Sequence, residues 1–172
     1  MLERQLKDAL GRVKALEQSN LFSLGNPYPV GLGLVKIGQS VNDLEKAHPG
    51  AKIEKSSRYW TLREFHSVFT DVSYYFEEGT ADKKITFINM RTSVRARDDG
   101  NFLQNKLLEV LGPPTEVPVA NFARWDLAAS KLAVYFDPRM VPSYMIMREG
   151  YTPNMWPRKA APLVTGATPP KK

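Results

Sequence analysis

Two helix stops, Pro49-Gly50 and Gly112-Pro113-Pro114, are each followed by aromatic runs of strand character, and this order limits the folds open to the chain. The first unit starts at Ser40-Val41-Asn42-Asp43, where a hydroxyl can cap a helix and an acid lies three residues on. Val41, Leu44 and Ala47 then share one side at helical spacing. In the second unit Asp98 and Asp99 supply the start, and Leu103, Leu107, Val110 and Leu111 supply the stripe. Leu44-Glu45 and Pro49 align with Leu108-Glu109 and Pro113 at an offset of 64. Trp60 aligns with Trp125 at 65, Tyr75-Phe76 with Tyr135-Phe136 at 60, and Met90-Arg91 with Met147-Arg148 at 57. The shrinking offset predicts shorter hairpins in the second unit. Prolines after helices and aromatics in strands are common, so coincidence is the competing reading of this self-similarity.

Each unit reads as one short helix and three strands. In the first, Ile53 to Phe65 is an extended segment with a bend, Val72 to Phe76 alternates, and Ile85 to Arg91 returns after a polar turn. In the second, the strands are Phe122 to Leu127, Leu132 to Phe136 and Tyr144 to Arg148. The short turns between them require antiparallel pairing, because parallel neighbours need crossovers of about a dozen residues. The expected fold class is α+β: two tandem units, 34–97 and 98–150, forming one antiparallel sheet with helices on one face. Residues 1–20 precede it as a helix, 21–33 as a linker, and 151–172 follow as a Pro-rich basic tail, extended and anchored at Tyr151 and Trp156.

Alternation divides the strand side chains between two faces. Val72, Tyr74, Phe76, Leu132, Val134 and Phe136 form the apolar set that the helices should cover, joined by Ile88, Met90, Met145 and Met147. Tyr75, Phe87, Asn89, Arg91, Ala133, Tyr135, Tyr144, Ile146 and Arg148 then point the other way, with Trp60 and Trp125 as additions. Tyr, Trp and Arg dominate binding energy at protein interfaces, so the expected partner-binding set is Trp60, Tyr75, Phe87, Arg91, Trp125, Tyr135, Tyr144 and Arg148. The competing expectation is that loops, the first helix or Tyr151 to Trp156 fold over this face and make it ordinary core.

In residues 1–20, Leu2, Leu6, Ala9, Val13 and Leu16 follow the alternating four and three spacing of a heptad seam. Fewer than three heptads make a marginal coiled coil, so the helix needs a second copy, a longer upstream helix or its own domain to dock on. A homodimer through Leu2, Leu6, Ala9, Val13 and Leu16 is the oligomerisation expected. The glycines at 31, 33 and 38 do not make a dinucleotide fingerprint, because the last gap is five residues rather than three. They read instead as a turn into a short strand at Leu34 to Ile37.

Ile37-Gly38-Gln39-Ser40 before a short helix, then Pro49-Gly50 and three aromatic strands, resembles the β-lactamase inhibitor protein-like fold. That group includes the small lipoproteins of the outer-membrane assembly machinery. Leu107-Leu108-Glu109-Val110-Leu111-Gly112-Pro113-Pro114 is similar to their helix-ending Leu-Gly-x-Pro. The resemblance covers roughly residues 34–150 and implies a sheet that presents a surface to another protein and performs no chemistry. It also implies a periplasmic or extracytoplasmic location, although the inhibitors' cysteines and a lipidation cysteine are lacking.

The residues themselves offer little chemistry. With no cysteine, thiolate catalysis and Cys-ligated metals are excluded. His48 and His66 are expected on the surface and without the spacing of a metal site. Neither cofactor nor metal is expected, and the chain is read as non-enzymatic. A carboxylate pair from Glu77, Glu78, Asp126 or Asp137 is the least favoured reading, a hydrolase. The net charge of +6 points to nucleic acid, yet four of the 24 bases and none of the 18 acids fall in 151–172, so residues 1–150 carry only +2. Single-stranded nucleic acid, held by the sheet aromatics, the run Arg91, Arg95, Arg97 and the basic tail, is therefore the alternative to a protein or peptide partner. No apolar run reaches the ~20 residues of a membrane span, and the chain is expected to be soluble.

Overall fold

A computed structural model describes residues 2–92, 101–139 and 142–157, apart from the side chains of 10, 13–15, 17 and 18. The chain is α+β, with one antiparallel sheet of seven strands. Helix α1 spans Leu2–Ser19, a 3-10 turn at Val41–Asp43 leads into α2 at Leu44–Ala47, and α3 spans Phe102–Leu111. The strands are β1 (Lys52–Lys55), β2 (Tyr59–Arg63), β3 (Phe69–Phe76), β4 (Ile85–Thr92), β5 (Ala123–Leu127), β6 (Leu132–Asp137) and β7 (Ser143–Arg148). Their order across the sheet is β1-β2-β3-β4-β7-β6-β5.

Ser40 starts the first helical turn as expected, its hydroxyl accepting from the Asn42 N–H at 3.2 Å. Gly38, at φ +86°, turns the chain so that residues 38–40 pair with the start of β4. Val41, Leu44, Leu103 and Leu107 are buried against Leu62, Val72, Tyr74, Ile88, Val134 and Ile146, so the helices cover one face of the sheet.

Three local expectations fail. Residues 53–65 are two strands, because the turn at 56–58 folds β1 back on β2 with Lys55 opposite Trp60. Four strands therefore precede α3, and three follow it. Leu34 to Ile37 forms turns instead of a strand, with Leu34 exposed. The segment 21–33 is no free linker: Leu21, Phe22, Tyr28 and Leu32 are buried in the helix-side core, and the Tyr144 hydroxyl donates to the Pro27 carbonyl. The small α2 and α3 leave part of the sheet bare, and this segment supplies the missing apolar cover.

Helix α1 departs from the body beside α3, where Lys106 Nζ donates to the Ser19 carbonyl at 3.2 Å. Leu2 is 83% exposed, and Leu6, Ala9 and Leu16 are exposed too. The Val13 side chain lies outside the described residues.

The register has a further regularity. Omitting β1, the order reads β2-β3-β4 and then β5-β6-β7 in reverse, meeting at the β4–β7 seam. Ile88 and Ile146 pair across that seam. Trp60 sits opposite Tyr74 on β3, and Trp125 sits opposite Val134 on β6. Tyr75 pairs with Phe87, and Tyr135 pairs with Met145.

Candidate functional site

The face away from the helices is built by the odd-numbered residues between 59 and 63 on β2, 71 and 75 on β3, and 87 and 91 on β4. On β2, Trp60 and Leu62 turn into the core, which sends Tyr59, Thr61 and Arg63 outward. Asp71, Ser73 and Tyr75 on β3 and Phe87, Asn89 and Arg91 on β4 lie beside them in register. Three rows result across these strands.

The first row is aromatic. Tyr59 and Tyr75 have ring centroids 5.0 Å apart and tilted by 38°, while Tyr75 and Phe87 stack at 4.8 Å and 21°. Facing rings spend their faces on each other, so the row shows the solvent mainly edges and hydroxyls. Burial pushes the Tyr75 phenol pKa up, Tyr59 adds to this, and Arg91 opposes it. The second row is polar: Thr61 and Ser73 hydroxyls hydrogen-bond at 2.9 Å, and Asn89 follows. Asn89 Oδ1 is buried without a hydrogen-bond partner among the described residues. The third row is charged. Asp71, 8% exposed, lies between Arg63 and Arg91, and Arg63 also donates twice to Glu54 Oε2 at 3.0 Å. The rows frame a shallow hollow of about 200 Å³.

The other half of the same face, on β5–β7, is closed. Residues 151–156 run over it, and Trp156 packs edge-on against Tyr135 at 4.8 Å and Phe122 at 5.4 Å. The Tyr135 hydroxyl donates to the Tyr151 carbonyl at 2.6 Å, and Arg139 donates to the Met155 carbonyl at 3.0 Å. Ala133, Tyr135, Met145 and Met147 are thereby buried as a second, smaller cluster. The expected anchoring at Tyr151 and Trp156 is met, through the Tyr151 carbonyl and the Trp156 ring; residues 158–172 lie outside the described residues.

The partner-binding set expected from the sequence is split by this arrangement. Tyr75, Phe87 and Arg91 lie on the open half, with Phe87 partly buried against the second cluster. Tyr135 is on the expected face but fully buried beneath the 151–156 strap. Trp60 and Trp125 are corrections: both face the helices. Lys55 Nζ sits 4.3 Å from the Trp60 ring, and the Trp125 indole donates to the Gly112 carbonyl at 2.9 Å, tying the end of α3 to the sheet. Tyr144 is a further correction, being fully buried on the helix side with its ring 5.6 Å from Phe22. Ile146 shares that side, and Arg148 follows it in alternation but is exposed at the strand end. Met145 and Met147 accordingly belong to the strapped face, so β7 is one residue out of the expected parity.

Tyr59, Thr61, Arg63, Asp71 and Ser73 were missed by the sequence reading. Their alternation is visible once β2 is cut at Tyr59–Arg63, but the bend before it concealed the period. His48 is buried, contrary to expectation, with its ring 4.7 Å from Phe65. His66 lies in the loop before β3, where its Nδ1 accepts from the Val68 N–H at 3.1 Å. Arg95 and Arg97 lie outside the described residues.

The acids considered for hydrolysis are dispersed. Glu78 pairs with Arg58 in the β3–β4 turn, Asp126 with Arg124 on β5, and Asp137 with Arg139 after β6. From β3 to β5 is four strand spacings, about 19 Å, beyond the roughly 5–10 Å of a glycosidase pair. Among the described residues no cluster of His, Asp or Glu could hold a metal ion, and no helix is long and apolar enough to cross a membrane. Comparison of the chain with protein-family models, with curated proteins and with solved structures returns no significant match.

Proposed function

We propose that this chain is a non-catalytic binding module that docks a protein or peptide partner on the open β2–β3–β4 half of its sheet. The observation that carries the reading is the contrast within one face: the β5–β7 half is sealed by residues 151–156, while Tyr59, Tyr75, Asn89 and Arg91 are left without such a cover among the described residues. Partly buried tyrosines beside a guanidinium are the composition of interface hot spots. Edge-presenting, mutually stacked rings favour this reading over single-stranded nucleic acid, which needs free ring faces to stack bases. Arg63 and Arg91, held by Glu54 and Asp71, are also poorly placed to neutralise phosphates.

The two sheet halves are proposed to derive from one duplicated helix-and-three-strand unit, as in the β-lactamase inhibitor protein-like fold. Support comes from the mirrored strand order and from Trp60 and Trp125 holding matching register positions. The uncovered Leu2, Leu6 and Leu16 of α1 support a second contact, self-association through that helix.

Affinity capture on the immobilised full chain tests the reading. A protein recovered by wild type and retained at high salt, but lost with Tyr75→Ala or Arg91→Ala, is the expected outcome. Recovery of RNA alone, released by salt, would contradict it.

A further inference from the structure

The strap on the β5–β7 half is a worked example of what this kind of sheet surface accepts. It is an extended segment with prolines at 153 and 157, and it buries one tryptophan beside a sheet tyrosine. A backbone carbonyl receives the tyrosine hydroxyl. Tyr75 holds on the open half the register position that Tyr135 holds on the closed one: Tyr75 pairs with Phe87 as Tyr135 pairs with Met145, and the Ile88–Ile146 pair lies at the seam between them. The two surfaces are continuous there, since Phe87 pairs with Met147 and packs against the strapped cluster.

Tyr75 differs from Tyr135 in one respect that bears on binding. Its hydroxyl makes no hydrogen bond among the described residues, whereas that of Tyr135 is used by the strap. Two strands' width of aromatic edge lies beside it, with Tyr59 39% exposed. Asn89 lies in the neighbouring row of the hollow and carries the buried Oδ1 that lacks a donor. A carboxamide offers one acceptor and two donors, which complements a peptide group. A buried acceptor left unpaired costs stability, so turning this carboxamide toward the hollow to pair with a ligand's backbone relieves that cost.

We propose that the open half takes an extended, proline-bounded, aromatic-bearing segment of another protein, laid on β2–β4 as residues 151–156 lie on β5–β7. A backbone carbonyl of that segment accepts from the Tyr75 hydroxyl, a backbone group pairs with the Asn89 carboxamide once it turns toward the hollow, and the aromatic side chain packs beside Tyr59 and Tyr75. The short charged edge strand β1, with Lys52, Glu54 and Lys55, resists strand addition at the sheet edge, so the segment lies across the face. This rests on the docking function proposed above and narrows its partner to one chemistry.

The test uses the full chain and a fluorescently labelled synthetic peptide of residues 151–157 as the probe, read by anisotropy. Saturable binding is expected, weakened about three- to tenfold by Tyr75→Phe, which removes one hydroxyl, and again by Asn89→Leu. Trp156→Ala should leave it unchanged, and far-ultraviolet circular dichroism should show each variant folded. Absence of saturable binding at millimolar probe overturns the proposal, as does binding indifferent to Tyr75→Phe and Asn89→Leu but strengthened by Trp156→Ala, which places the probe on the strapped half. A chain whose mass doubles with concentration, and reverts to single copies with Trp156→Ala, makes a second copy the occupant and also overturns it. If the peptide fails while protein capture still depends on Tyr75, the docking function stands and only the segment chemistry falls.

Discussion

Tyr75 and Tyr135 occupy matching register positions on opposite sides of the β4–β7 seam, yet Tyr135 is fully buried under Trp156 and Tyr75 remains partly open. The same sheet thus displays one surface satisfied by its own chain and one left without such a cover among the described residues. That asymmetry marks the proposed docking surface more than the exposure of any single residue does.

The strap should contribute modestly to stability. Tyr135→Phe removes its hydrogen bond to the Tyr151 carbonyl and should lower unfolding free energy by about 1 kcal/mol in urea titrations. Trp156→Ala should cost more, about 2 kcal/mol, because it also uncovers Tyr135 and Phe122.

Trp125 is expected to matter for folding and not for binding. Trp125→Phe leaves the Gly112 carbonyl without its indole donor and opens a small gap under α3, for an expected loss of about 2–3 kcal/mol. Tyr59→Ala, on the open half, should cost under about 1 kcal/mol. Chemical denaturation of both variants checks the contrast.

Removing Asp71 should destabilise through its neighbours. Asp71→Ala leaves the Arg63 and Arg91 guanidinium groups facing each other without the carboxylate that separates them, for an expected loss of about 1–3 kcal/mol. Asp71→Ala combined with Arg91→Ala should recover part of that loss. A double-mutant cycle in urea measures the coupling.

His48 predicts a pH dependence. Burial lowers its pKa below the ordinary 6.5, and Nε2 has no partner among the described residues. The neutral form is the one that fits. Above pH 6.5 neither the folded nor the unfolded chain binds this proton, so its stabilising effect is complete there. As pH falls below 6.5 the unfolded chain gains the proton first, and stability drops until the folded pKa is reached. Thermal melts from pH 7.5 to 5 should show this loss, and His48→Gln should flatten it over the same range.

If α1 associates with a second copy, light scattering should give twice the chain mass, and Leu6→Lys with Leu16→Lys should restore the single mass. A single mass for the unaltered chain at high concentration would exclude that contact.

Much of the architecture was legible because turns and helix stops are local. Pro49-Gly50, Gly112-Pro113 and the short hairpin turns set helix ends and antiparallel pairing, and the parity of β3, β4 and β6 followed from Tyr74, Ile88 and Val134. Parity failed on β7, where Tyr144, Met145, Ile146 and Met147 are all large and apolar and give alternation nothing to discriminate. Ile88 and Ile146, partners across the β4–β7 seam, both face the helices, which puts Met145 and Met147 on the other side. Trp60 and Trp125 join the expected open face for their interface chemistry and not by alternation, whereas their bulk fills the space beneath small helices. The buried segment 21–33 was hidden by its glycines and prolines, which mark turns without saying whether the residues between them are packed.

The most direct measurement is the affinity of a captured partner for the wild-type chain and for Tyr59→Ala, Tyr75→Ala and Arg91→Ala, with urea midpoints recorded for each. The open-face account predicts that Tyr75→Ala and at least one other variant bind more weakly by ~1 kcal/mol or more, about fivefold, while remaining folded. Unchanged affinity in all three folded variants would contradict it.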